Sequence, residues 1–217
     1  MTQPLTMAAR PLRIGILAIV AFAAGLILAR AFWSAPTPPP QAEHGTIFPA
    51  PRALPALGLT DHHGRPLGPD RFADRWTLVF FGFTNCPDIC PTTLATLAQM
   101  KRQLADLPAE QQPGVLLVSV DPERDDPERL AAYVEFFDPS FTGGTGTTQA
   151  VADAAAAFGV PFAKVSLPDG GYTMDHGSGV FVVGPMGGIV AYLSGPHDAT
   201  VMARDYRKVV EFAGSGR

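Results

Sequence analysis

Residues 76–94 read WTLVFFGFTNCPDICPTTL, and this stretch decides the fold class. Trp76–Phe83 is nearly continuous in apolar side chains, the pattern of a strand covered on both faces. Thr92–Leu107 follows with apolar residues at Leu94, Leu97, Ala98 and Leu104, a helical spacing. The alternation continues downstream. Val115–Val120 (VLLVSV) reads as a second buried strand, and Pro127–Phe137 as a helix with proline in its first turn. Gln149–Phe158 is alanine-rich and helical, and Phe162–Leu167 is strand-like. Val180–Val183 and Ile189–Leu193 bracket the turn residues Gly184–Gly188, a hairpin, and Asp198 is placed to cap a last helix ending near Phe212. Upstream, Asp61-His62-His63-Gly64 reads as a turn between Ala53–Thr60 and Arg65–Leu67. Strands alternating with helices predict an α/β domain, a mixed sheet flanked by helices with the late hairpin as an antiparallel edge. Sites in such sheets gather at the carboxyl ends of the parallel strands, which are the loops after Phe83 and after Val120.

The 217 residues suit one domain with appendages, and 47% hydrophobic with 17% charged content excludes a disordered chain. Three of the 16 basic residues, Arg10, Arg13 and Arg30, lie in residues 1–33, where there is no acid. The remainder therefore holds 13 bases against 20 acids. An acidic body without a basic patch cannot neutralise a phosphate backbone, so nucleic acid is not an expected partner. Ile14–Ala29 is a run of sixteen residues without a polar side chain, bounded by Arg13 and Arg30. It would span roughly 24 Å as a helix, and Leu12 and Ala31–Trp33 lengthen it. Trp33 suits an interfacial belt, and Arg10 and Arg13 keep the N-terminus cytoplasmic. The expectation is one N-terminal transmembrane helix, an inner-membrane anchor with the domain in the periplasm. Ala29-Arg30-Ala31 also has the form of a signal cleavage site, which would release the domain into the periplasm; export follows either way. Ser34–Ala42 (SAPTPPPQA) is a proline-rich spacer. The organisation expected is an anchor over 1–33, a linker over 34–44 and a globular domain over 45–217.

The chain has two cysteines, Cys86 and Cys90, placed immediately after a buried strand and at the start of a helix. At that spacing both thiols face one side about a turn apart, and a helix N-terminus favours the thiolate. A structural disulfide is a poor explanation, because closing so short a loop removes little chain entropy. A redox-active pair and a metal pair remain. Two thiolates make a soft site for copper(I), and an imidazole would adapt it to copper(II). Of the five histidines, His44, His62 and His63 read as exposed surface, and His197 as a loop or capping residue. His176 lies in Tyr172–Gly179 (YTMDHGSG), read as a polar, glycine-rich loop entering the strand Val180–Val183. Spacing alone leaves it open whether His176 is a ligand or an ordinary loop histidine. Asp121, just past a buried strand, could tune a nearby metal from outside its ligand shell or cap the loop Pro122–Asp126. Asp88 reads as solvent-facing and Met174 as packing. Gly143–Thr148 lacks the lysine and spacing of a phosphate loop and reads as a loop entering a helix.

Gly82–Leu94 (GFTNCPDICPTTL) resembles the signature of the SCO/SenC family of copper proteins, which assist assembly of cytochrome c oxidase. Ser119–Asp125 (SVDPERD) is similar to that family's second block, and Phe141–Thr147 and Asp175-His176 to its later ones; the likeness covers roughly residues 45 to 212. It implies a thioredoxin-like fold, and copper, as Cu(I) or Cu(II), bound by Cys86, Cys90 and His176. The family usually follows the aspartate–histidine pair with serine or threonine, whereas this chain inserts Gly177 before Ser178. That departure bears on how rigidly the loop holds its histidine. The function implied is a metallochaperone that takes copper from an upstream donor and delivers it to the dinuclear copper centre of an oxidase subunit. The alternatives are a thiol–disulfide oxidoreductase acting through Cys86 and Cys90 on the target's cysteines, and a copper or redox sensor. Two features count against a general reductase: three residues separate the cysteines, and no proline lies between Asp169 and Gly184, where thioredoxins carry a docking proline.

Overall fold

The structure, a computed structural model, describes residues 9–33, 38–168 and 170–215. The side chain of Trp33 and residues 34–37 of the spacer lie outside the described residues. The chain divides into two units, Met1–Pro38 and Pro39–Arg217. The first contains one 25-residue helix, α1 (Ala9–Trp33). Its side chains are described over 14–30 and are exposed all round, Ile14, Leu17, Phe22 and Ile27 among them. Among the described residues no helix is long and apolar enough to cross a membrane.

The second unit is built on a seven-stranded sheet. In chain order its elements are β1 (Gly45–Ala53), β2 (Thr60–Asp61), β3 (Thr77–Gly82), α2 (Ile89–Gln103), β4 (Gly114–Ser119), α3 (Pro127–Phe137), β5 (Thr142–Thr145) and α4 (Thr148–Phe158). They continue with β6 (Phe162–Ser166), β7 (Tyr172–His176), β8 (Val180–Val183), β9 (Gly188–Leu193) and α5 (Ala199–Ser215). The sheet order is β1-β9-β8-β3-β4-β5-β2. β3, β4 and β5 are parallel; β8, β9 and β1 extend the sheet antiparallel on one side, and β2 pairs antiparallel with β5 on the other. Every residue of β3 is buried, as the unbroken apolar run requires. β6 and β7 form a separate two-stranded hairpin that pairs Phe162 with His176.

Local chemistry sets the helix ends. Asp126 accepts the Arg129 amide at 2.8 Å and Pro127 opens α3; Thr147 accepts the Ala150 amide at 3.1 Å and Gly159 closes α4 in the left-handed region. Cys90, Leu94, Leu97 and Ala98 form the buried stripe of α2. Asp198 accepts the Thr200 and Val201 amides, each at 2.9 Å, at the start of α5. Asp205 of α5 takes the Glu43 and His44 amides, each at 2.9 Å, which fastens the start of the domain to its last helix.

Three expectations are corrected. Thr142-Gly143-Gly144-Thr145 is not part of a loop but the buried parallel strand β5. Its glycines answer to packing: a Cβ on Gly143 would meet the Leu130 Cβ at 2.9 Å, and one on Gly144 the Leu67 Cδ1 at 2.6 Å. Tyr172–His176 is a strand, so only Gly177–Gly179 of the expected loop is free of regular structure. The 61–64 turn exists, with Asp61 donating its amide to the Arg65 carbonyl, but its arms are a two-residue strand and a single bridge, and the long edge strand is β1.

Candidate metal centre

β3 ends at Gly82, and the chain turns through Thr84 and Asn85 before α2 begins at Ile89. Cys86 therefore sits in the turn and Cys90 in the first helical turn. The Cys90 amide donates to the Cys86 sulfur at 3.4 Å, which sets the direction of that side chain. Cys90 is fully buried and Cys86 half-buried, and neither is in a disulfide. Asp125, buried at the carboxyl end of β4, holds the turn by accepting from the Thr84 amide at 3.0 Å, the Thr84 hydroxyl at 2.6 Å and the Ser119 hydroxyl at 2.6 Å. Arg129 of α3 adds a bond to the Thr84 hydroxyl at 2.7 Å and another to the Asn85 side-chain carbonyl.

His176, the last residue of β7, brings its Nε2 to 3.5 Å from the Cys90 sulfur. Its Nδ1 lies 3.0 Å from the Gly177 carbonyl, which can only accept. Nδ1 therefore donates to that carbonyl, which leaves Nε2 as the ring nitrogen that faces the cysteines. The ring stands edge-on to Phe80 and Phe83, with centroids 6.0 and 5.8 Å away. The Cys86, Cys90 and His176 donor atoms all lie within 4.8 Å of one another, and among the described residues this is the one such group of three or more.

Burial pushes the Cys90 thiol well above its ordinary range, and its hydrogen bond with Cys86 adds to the shift. The expected preference of the helix N-terminus for thiolate is thus outweighed at Cys90 by the loss of water. A metal arriving there must expel that proton, so binding couples to proton release. The donor set suits a soft ion. A sulfur–nitrogen separation of 3.5 Å is a natural edge for a metal with bonds of about 2.0 to 2.3 Å to imidazole and thiolate. Three protein donors also leave room for an exchanging ligand.

Asp121 touches none of the three. Buried at 2% exposure, it accepts the Tyr172 hydroxyl at 2.9 Å and pairs with Arg124. Arg124 lies 3.7 Å from the centroid of the Tyr172 ring and donates to the Tyr172 carbonyl at 3.1 Å. This cluster ties Asp121 to the start of the strand that ends in His176, and the Asp121 carbonyl accepts the Arg124 and Asp125 amides, which caps the loop after β4. Asp88 is exposed and Met174 is packed into the core. His63 is exposed, whereas His44 and His62 are half-buried and structural: His44 contacts the Pro196 carbonyl and His62 accepts the Gly143 amide at 2.9 Å. His197 donates to the Ser178 carbonyl at 2.7 Å, tying down the segment after His176. Sequence reasoning missed Arg124, Asp125, Arg129 and Tyr172; the only signal for the aspartate and Arg124 was their place in the 119–125 block.

These features define a mixed α/β domain that presents a two-thiol, one-imidazole soft-metal group at the carboxyl end of its parallel strands. The chain belongs to the SCO1/SenC family, whose model matches residues 50–211. A Stutzerimonas stutzeri protein named as a candidate copper-binding protein is 36% identical over 152 residues, covering 69% of this chain and 73% of its own. The human mitochondrial SCO2 homolog is 37% identical over 151 residues, but the chain spans only 57% of its length. Among solved structures, copper-bound ScoI of Bradyrhizobium japonicum is 31% identical, with a TM-score of 0.62 over 70% of this chain and 95% of that one. The fold is accordingly the Sco-like thioredoxin fold expected from the sequence.

Proposed function

We propose that this protein is a membrane-tethered copper chaperone that holds copper with Cys86, Cys90 and His176 and delivers it to the dinuclear copper centre of a cytochrome c oxidase subunit. The observation that carries the reading is the convergence of the three donor atoms within 4.8 Å. Half-buried Cys86 and His176 leave the group open to a partner, as transfer requires, while buried Cys90 anchors it. The copper bound by ScoI of Bradyrhizobium japonicum fits this donor set. Although the described helix is not by itself long and apolar enough to cross a membrane, its exposed apolar run Ile14–Ala29 between Arg13 and Arg30 supports a role as membrane anchor, with the domain in the periplasm.

A thiol–disulfide reductase is the second reading, favoured by the asymmetry of the pair. Cys86 can be reached by a partner's sulfur, and Cys90 stands behind it to resolve the mixed disulfide. Thiol exchange has no need of an imidazole ligand, whereas copper transfer does. The test is oxidase activity in cells carrying only the His176→Ala protein at limiting copper. The chaperone reading expects a loss approaching that of a cysteine variant, with the dithiol still oxidisable. Near-normal activity would favour the reductase.

A further inference from the structure

At the other end of the parallel strands, away from the cysteines, a cavity of about 250 Å³ opens between Thr77, Gly114 and Thr142, which lie at the amino ends of β3, β4 and β5. Arg71 and Arg75 line it. We propose that this cavity is a binding site for a small oxyanion of phosphate size, held by the two guanidinium groups and the Thr142 hydroxyl.

The first ground is uncompensated charge. The body of the chain is acidic, yet among the described residues neither Arg71 nor Arg75 is paired with a carboxylate. Asp61, the acid whose charge acts on Arg71, is already committed to Arg65 at 2.8 Å. Arg71 is half-buried; its Nη2 reaches only the Thr142 hydroxyl, at 3.3 Å, and its Nε is shut off from solvent without a partner. Arg75 is exposed, and its one bond is a long contact of 3.4 Å to the Ala73 carbonyl. Burial, followed by repulsion from Arg75 and Arg65, holds the Arg71 guanidinium below its ordinary value. A fold that keeps two like charges together at a cavity wall is relieved by an anion between them.

The second ground is the distribution of donors. The Gln112 amide is used by the Ala105 and Leu107 carbonyls, and the Ser140 hydroxyl donates to Asp138. The Gly114 amide is bonded to the Trp76 carbonyl. What remains to meet a ligand is therefore two cationic groups, the Thr142 and Thr77 hydroxyls and the Trp76 indole N–H, a donor-rich set that reads negative charge. The cavity, near 250 Å³, lies just below the usual range for small-molecule sites of about 300 to 1,000 Å³, which fits a phosphate group and not a nucleotide.

The experiment is a thermal-unfolding titration of the full chain in detergent with inorganic phosphate, exchanged against chloride at constant ionic strength. The expected result is a saturable rise in Tm for the wild-type protein. That rise should be lost in Arg71→Gln and shifted to about tenfold higher phosphate in the exposed variant Arg75→Gln. Copper binding should be unchanged in both. A parallel titration with glycerol phosphate separates the sources: a matching response assigns the site to phosphomonoesters as well, and a response to inorganic phosphate alone confines it to the free ion. Phosphate also stabilises proteins by exclusion from their surfaces, without saturation and without regard to these arginines. An equal rise in wild type and both variants, or no rise beyond chloride, would overturn the proposal.

Discussion

Gly82, the last residue of β3, is the position where a single methyl group tests how the metal centre is positioned. A Cβ built there would lie 2.9 Å from Phe80 Cε1, 3.0 Å from the Cys90 sulfur and 3.1 Å from Leu117 Cδ1. Comfortable contacts between such atoms begin at about 3.5 Å, so each neighbour must retreat by roughly half an ångström. Forcing a methyl into a filled core costs about 1 to 3 kcal/mol. The site suffers separately, because ligand distances tolerate only about 0.2 Å and the same methyl presses on Phe80, against which the His176 ring rests. Gly82→Ala should therefore remain folded, lose about 1 to 3 kcal/mol in urea unfolding, and bind copper(I) about ten- to a hundredfold more weakly in competition with a chelator of known affinity. Gly68→Ala is the control, since nothing lies within 4 Å of its Cβ and its φ of -85° suits any residue. Copper affinity in Gly82→Ala equal to that of wild type would refute the reasoning, because the sulfur would then have moved without consequence or not moved at all.

Tyr172→Phe removes the hydroxyl donated to Asp121 and keeps the ring beside Arg124, so it should cost about 1 to 2 kcal/mol and weaken copper(II) binding less than His176→Ala does. Unchanged stability and affinity would show that the Asp121–Tyr172 bond does not position β7. Asp205 gives the pH dependence. Burial alone would raise its pKa, but the His44 and Glu43 amides and Lys208 hold it below the ordinary carboxylate value of 3.8. Its stabilising contribution is thus present above about pH 3.8 and is lost as pH falls through the lower folded value. Asp205→Asn should be less stable by about 1 to 3 kcal/mol at neutral pH, with the gap closing on acidification; parallel curves in urea at pH 7 and about pH 3 would contradict this.

The elements that were legible in the sequence are those with local causes. Pro127–Phe137 was found at its observed ends because Asp126 caps it and Pro127 starts it, and Val180–Val183 because four consecutive apolar residues are buried on both faces. β5 was missed because the residues that select its glycines, Leu130 and Leu67, are remote in sequence. β1 was missed because it carries Pro49, Pro51 and Arg52 on an edge, where a strand needs few ladder bonds and little apolar pattern. The two cysteines were visible from spacing. His176 was not, and its place beside them rested on resemblance, since β7 reaches the site through a hairpin with β6 and through contacts from Arg124 and Asp121. Gly177 has no atom closer than 3.7 Å to a built Cβ, so packing does not demand glycine there; Gly179 is different, its Cβ falling 2.0 Å from the Tyr192 ring.

The central claim is that Cys86, Cys90 and His176 hold copper as one group, and its most direct test is copper titration of the reduced full chain followed by absorption spectroscopy. The account predicts stoichiometric binding of one copper(II) per chain with a thiolate-to-copper charge-transfer band. That band should vanish in Cys86→Ser and in Cys90→Ser, and His176→Ala should impair copper(II) binding more than copper(I) binding. A band that survives in either cysteine variant, or copper(II) binding that is indifferent to His176, would contradict it.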